Sequence, residues 1–288
     1  MQLAVVGHVE WVEFARVDAV PAPGEIAHAS ETWEEAAGGG AVAAVQLANL
    51  AGTATLFTSL GNDELGARCR EELERRGVVV HAANAGVPQR RAFTFVDDAG
   101  ERTITVLGPK LLPSGTDGTL PWEELGHADA VYFVSGDIAA LRSARKARLL
   151  VTGARELPTL ARAGVPIDAL VGSGEDARER YQPGDLDPAP LLVVTTAGAL
   201  GGWLQPGGPF RAAPIPGPIE DTYGAGDCFA AGLTFALAEG RSPEEAAAFG
   251  ARCGAAVLTG RGGYEGQLRL ASAAPGSGPP ARGPRSTT

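Results

Sequence analysis

The sequence predicts an α/β protein, with a mostly parallel sheet wound by helices on both faces and a small antiparallel sheet projecting from it. Three observations carry this. Short apolar runs recur and end at a glycine or a turn, as strands buried on both faces do. Helical patterns separate several of them, and strands alternating with helices make parallel sheets. Two extended segments, near residues 10–36 and 91–108, break that rhythm.

The first run is "LAVVG" (residues 3–7). Its counterparts are "ATLFTSLG" (54–61), "DAVYFVSG" (129–136), "ARLLVTG" (147–153), "IDALVG" (167–172) and "LLVVTT" (191–196). Residues 38–52, "GGGAVAAVQLANLAG", form an Ala-rich helix that ends in glycine. Residues 63–77, "DELGARCREELERRG", begin with acids and end with arginines, in keeping with a helix dipole. In the first irregular segment a Pro-rich turn separates extended pieces. The second reads as a β-hairpin, "AFTFV" and "RTITV" about a turn at "DDAG". Together they make a small sheet able to cover the main domain. The Pro/Gly/Ser-rich residues 271–288 read as a disordered tail, leaving 1–270 as the folded domain.

The 288 residues suffice for one sizeable core, and 44% hydrophobic with 20% charged residues suits a globular protein. A formal net charge of -10 argues against nucleic acid or an anionic membrane surface as partner. It leaves nucleotides open, because local backbone dipoles can hold phosphates. No apolar stretch is long enough for a membrane span. No basic and apolar leader opens the chain, and Cys69, Cys228 and Cys253 share no ligand spacing. A cytoplasmic protein is expected. His8 reads as a loop histidine, and His28, His81 and His127 share no ligand spacing.

The chemistry concentrates in "DTYGAGDCFAAG", residues 221–232. Phe229, Leu233, Ala236 and Leu237 are spaced as on a helix that stops at Gly240. Gly224, Ala225 and Gly226 therefore lie at a helix N-terminus, where backbone N–H groups lack partners and the dipole favours an anion. Such a pocket can stabilise charge on a transferring phosphoryl group. Asp227 stands beside it, placed to take a proton from an attacking hydroxyl. There is no G-x-x-x-x-G-K-[ST] and no G-x-G-x-x-G after the first strand, which disfavours P-loop and dinucleotide-binding proteins.

"DTYGAGDCF" resembles the C-terminal signature of the ribokinase-like (PfkB) carbohydrate and nucleoside kinases, D-T-x-G-A-G-D-x-F. "PAPGE" (21–25), the glycine segment at 38–52, "GNDELG" (61–66) and "TAGALGG" (196–202) are similar to further family motifs in the same order. The resemblance spans about residues 3–263. It implies a three-layer α/β/α domain with a small antiparallel β lid, and ATP with Mg²⁺ as phosphoryl donor to a hydroxyl of a small sugar. It also implies roles. Asp227 is the base, with the N–H groups around Gly224, Ala225 and Gly226 as anion hole. Thr196, Gly198 and Gly201 line the nucleotide, and Gly38 and Gly39 admit the substrate. Glu175 organises Mg²⁺ through water. A monovalent cation near the Asp221 loop and pairing of two subunits through the lid edge are further possibilities.

Three positions depart from the family pattern. Its N-x-x-E has Gly172 in place of Asn and keeps Glu175, its sugar-contacting Asn is Ala43, and its Asp after the first strand is Val12. Glu10 and Glu13 lie close to that last position, and Glu10 is the candidate substitute. These departures leave open a nucleoside kinase on the same scaffold, or a binding protein that lost turnover.

Overall fold

The computed structural model describes residues 1–270; the tail expected at 271–288 lies outside the described residues. The main sheet is built around β1 (Leu3–Val6), whose four residues are all buried. It pairs in parallel with β4 (Ala54–Leu60) on one side and β8 (Ala130–Phe133) on the other. β5 (Val78–Asn84) continues the sheet beyond β4. Beyond β8 follow β9 (Leu150–Gly153), β10 (Ala169–Ser173) and β11 (Leu192–Thr196), all parallel. The hairpin of β12 (Gly202–Gln205) and β13 (Gly208–Phe210) closes that edge antiparallel.

Alternate residues of β1 feed two cores. Leu3 and Val5 join the larger one with α1 (Gly39–Ala51), α2 (Glu64–Arg75), α5 (Ala225–Ala238) and α6 (Pro243–Val257). Ala4 and Val6 face α3 (Ile138–Ala144) and α4 (Leu157–Ala163). This is the three-layer arrangement expected of parallel strands covered on both faces. Local chemistry sets the helix starts. Asp63 caps α2 by accepting the Gly66 N–H at 3.1 Å, and Ser242 with Glu245 forms a capping box on α6.

The small sheet has the order β3-β2-β6-β7: β2 (Glu10–Arg16), β3 (Glu31–Ala37), β6 (Arg91–Val96) and β7 (Arg102–Leu107). Each irregular segment supplies one antiparallel pair, as expected. The joint between them, β2 with β6, is parallel, so the lid sheet is mixed rather than wholly antiparallel. The intervening chain, which carries β3, α1, β4, α2 and β5, is long enough for the crossover a parallel pair requires.

Candidate active site

The site lies at the carboxyl ends of the main strands, where ligands bind in open α/β sheets. Gly224 caps α5 with φ 80°, a left-handed conformation that glycine adopts without strain. Cys228 is the first residue of the helix whose N–H finds a backbone carbonyl, that of Gly224 at 2.9 Å. The N–H groups of Ala225, Gly226 and Asp227 are left for a ligand. Just upstream, the buried Tyr223 hydroxyl accepts the Gly38 N–H at 3.2 Å. That bond ties the two glycine signatures together, so α1 and α5 begin side by side.

Asp227 is half-buried at the start of α5. A Cβ on Gly39 would lie 2.8 Å from Asp227 Oδ1, so only glycine lets the carboxylate stand against the α1 N-terminus. Burial pushes the Asp227 carboxyl up to about 6; Arg102 and Arg155 pull it down, and Glu179 and Glu10 oppose them. At neutral pH it is ionised and yet a stronger base than an exposed aspartate.

Next to it lies a polar cluster on the lid side. Glu10, 7% exposed, accepts a charge contact from Arg90 Nε at 2.9 Å. Burial raises its pKa and Arg90 and Lys110 counter this. His8 Nδ1 is 3.0 Å from Ser135 Oγ, and its Nε2 is 3.7 Å from Glu10. Burial, then Lys110, Arg90 and Arg155, hold His8 well below the usual imidazole range, so the ring is neutral. The loop histidine of the sequence reading is thus part of the cleft. Gly38 sits against both residues: its Cβ would be 3.3 Å from Glu10 N and His8 Cδ2. Val12 and Ala43, the departures from the family pattern, are wholly buried in the core. Neither offers anything to a substrate, and Glu10 with Arg90 occupies that end instead.

On the other side, Thr196 at the end of β11 donates through Oγ1 to the Gly172 carbonyl at 3.3 Å. Ala197 N–H closes the following loop on Gly201 O at 2.8 Å, around a turn at Gly198–Leu200. The Glu175 carboxylate faces this loop, with Oε1 3.2 Å from where a Gly198 Cβ would be. Gly172 has its own reason to lack a side chain: a Cβ there would be 2.6 Å from the Glu179 carbonyl. An Asn cannot be housed where the chain folds back this tightly. Glu179 accepts the Ser173 N–H at 3.0 Å, pairs with Arg155, and is the acid of this segment whose charge reaches Asp227.

Arg90, Arg102, Lys110, Arg155 and Glu179 were not legible as site residues. Each is a single charge outside any motif, and only the folded chain gathers them. Among the described residues no group of three or more His, Cys, Asp and Glu could hold a metal by itself. No helix among them is long and apolar enough to cross a membrane.

Unpaired N–H groups at a helix start, a carboxylate tuned towards neutrality beside them and a covering sheet define an α/β phosphotransferase. Residues 1–156 and 144–269 match the family described as pfkB family carbohydrate kinase, and the chain belongs to that family. It is 32% identical to an ATP-dependent ribose-1-phosphate kinase of Halopiger xanaduensis, over 89% of this chain and 91% of that one. The structure of a Thermotoga maritima ribokinase is similar with a TM-score of 0.76 at 22% identity, over 93% of this chain and 96% of that chain. Adenosine kinase from Sinorhizobium meliloti is similar with a TM-score of 0.73 at 20% identity, over 91% and 94%. These two likenesses establish the ribokinase fold. With the family, they make the chain an ATP-dependent carbohydrate kinase.

Proposed function

We propose that this kinase transfers the γ-phosphoryl group of ATP to a hydroxyl of a phosphorylated pentose, with Asp227 as general base. The observation that carries the reading is the Asp227 carboxylate, packed on Gly39 beside the unpaired N–H groups of α5. An acceptor hydroxyl placed over Gly39 gives its proton to Asp227 as its oxygen bonds to phosphorus and the bond to ADP breaks. Charge developing on the transferred group meets the unpaired N–H groups that follow Gly224, those of Ala225, Gly226 and Asp227, and the positive end of α5. Thr196, Gly198 and Gly201 line the nucleotide.

The pentose phosphate is supported by the Halopiger relative. Mg²⁺ fits as an ion carried by the nucleotide phosphates, since the described residues offer isolated carboxylates and no three-ligand cluster. Glu175 would hold it through water, and it would neutralise phosphate charge. A monovalent cation would lie at the turn of Asp221, whose buried carboxylate accepts the N–H groups of Tyr223 and Gly262 at 2.8 and 3.0 Å. Three buried free cysteines suit a reducing cytoplasm. The exposed β7 edge, with Ile104, Val106 and Leu107, suits pairing with a second copy.

The test is ATP consumption with ribose 1-phosphate, ribose and nucleosides, for wild type beside Asp227→Asn. Turnover on the sugar phosphate is expected, falling at least about 100-fold in the variant while the substrate still binds. Because the base must be ionised, wild-type activity should decline as pH drops through about 6. Near-normal turnover in Asp227→Asn would refute the base. Turnover on ribose or a nucleoside alone would refute the substrate class.

A further inference from the structure

We infer that Tyr132 is a further catalytic residue, its hydroxyl donating a hydrogen bond to the phosphoryl group as it passes from ATP to the acceptor. Tyr132 lies on β8, one residue before the strand ends. With Ala130 it faces the core shared with α5, whereas Val131 and Phe133 face the other layer. Its backbone sits opposite Val151 of β9, but its hydroxyl reaches further, to 3.6 Å from where a Cβ on Gly153 would be. The side chain thus runs along the sheet towards the carboxyl ends of the strands, where the cleft opens.

A buried tyrosine ordinarily spends its hydroxyl on a protein acceptor. Tyr132 is 5% exposed, yet among the described residues its Oη has no hydrogen-bond partner, and solvent still reaches the atom. The charged groups nearby are engaged with the protein. Arg155 pairs with Asp176 and Glu179, and Arg102 Nη1 donates to Thr222 O and Oγ1 at 2.9 Å. Gly153 has φ −84°, which any residue adopts, so its missing side chain is no demand of the backbone. It leaves the space beside the hydroxyl open. Burial, then Asp227 and Glu179, hold the phenol well above its usual range, and Arg155 opposes them. The group therefore keeps its proton at working pH and serves as a donor, never as a base. Of these neighbours, Asp227 is the base, and Glu179 belongs to the nucleotide side, where it accepts the Ser173 N–H at 3.0 Å. The hydroxyl stands between the two, on the path of a phosphoryl group travelling from nucleotide to acceptor. Phosphate oxygens accept hydrogen bonds, so a neutral donor with a free proton suits them. The phenol keeps that proton while the phosphorus–oxygen bond to ADP breaks and the bond to the acceptor oxygen forms.

The inference rests on Asp227 as the base, so Asp227→Asn is assayed beside Tyr132→Phe, with the acceptor that turns over. Tyr132→Phe removes one oxygen and keeps the ring. Because that oxygen is unpaired in the free protein, the melting temperature should not fall. The expected drop in kcat is about tenfold or more, the loss of one hydrogen bond to a charged group. KM for the acceptor should stay within about threefold. ADP with aluminium fluoride, which mimics the phosphoryl group in flight, should bind the variant about tenfold more weakly than wild type. ADP alone should bind both equally. The acid limb of the pH profile should stay at about 6, since the phenol carries no charge there. An unchanged kcat with Asp227→Asn inactive refutes Tyr132 and leaves the base standing. A lower melting temperature with wild-type affinity for ADP and aluminium fluoride makes the hydroxyl structural, and a displaced acid limb makes it act through Asp227. Either result overturns the inference. If Asp227→Asn keeps turnover, the base assignment fails, and the aluminium fluoride affinity still decides for or against Tyr132.

Discussion

Glu35 on β3 is 6% exposed, and its Oε1 accepts the Gly263 N–H at 2.6 Å. Burial pushes its carboxyl up to about 7; the Gly263 N–H and Arg76 draw it back, while Glu72 and Asp221 add repulsion. In the unfolded chain the group titrates near its usual 4.5. The folded state therefore holds the proton that the unfolded state gives up, and stability falls as pH rises from 4.5 through about 7. Glu35→Gln keeps the acceptor and removes the charge. It should be more stable than wild type by about 3 kcal/mol at pH 8, with the gap closing below pH 4.5. Urea denaturation at both pH values measures this, and equal gaps would show that Glu35 keeps its charge without penalty. The contrast with Asp227 is instructive. Asp227 was legible because its neighbours in sequence are also its neighbours in space. Glu35, Glu179 and Arg102 draw their properties from segments far away in the chain, and no local pattern marks them.

The pairing of α1 with α5 is the element on which the site depends. Both helices begin with small residues, and Gly39 brings the first turn of one against the carboxylate of the other. Gly39→Ala would put a methyl 2.8 Å from Asp227 Oδ1 and 3.0 Å from Val134 Cγ1. Alanine is otherwise the better helix former, by about 1 kcal/mol in a helix interior, so the fold should tolerate it. The carboxylate would have to shift, and kcat should fall about tenfold or more with little change in melting temperature. An unchanged kcat would show that the base has room to spare. The elements legible in advance, β1, β4, β8 to β11, α1, α2 and α5, have strong apolar runs or clear caps. β5 leaves a weaker trace in the sequence, because it is an edge strand with part of its side chains facing water. β12 and β13 are four and three residues long, too short for a periodic signal. α6 carries a readable start, the capping box Ser242-Pro243-Glu244-Glu245, close behind the stronger signature that opens α5.

The lid was legible as two irregular segments, but its parallel joint was not, because strand pairing across the 74 residues between β2 and β6 leaves no local trace. That joint governs how the lid can move. Val12, Phe14, Ala36, Ala92 and Val96 belong to the same apolar core as α1 and α5. Phe14 stacks on Trp33 at 4.8 Å and meets Tyr223 of the signature loop edge-on at 5.1 Å. Lifting β2, β3 and β6 would therefore expose the core of the main domain, at about 25 cal/mol for each Å² of apolar surface. β7 has no such anchor. All six of its residues are exposed, and beyond its pairing with β6 it is held through Arg102 and the turn on Thr222. Closure should accordingly be a motion of β7 and its turn rather than of the whole lid. Hydrogen exchange gives the check. Amides of residues 102–107 should exchange quickly in the free enzyme and slow at least about tenfold with a non-hydrolysable ATP analogue and ribose 1-phosphate. Those of 10–16, 31–37 and 91–96 should be protected throughout. If all four strands gain protection together on binding, the lid closes as one body and its core is separable from that of the main domain.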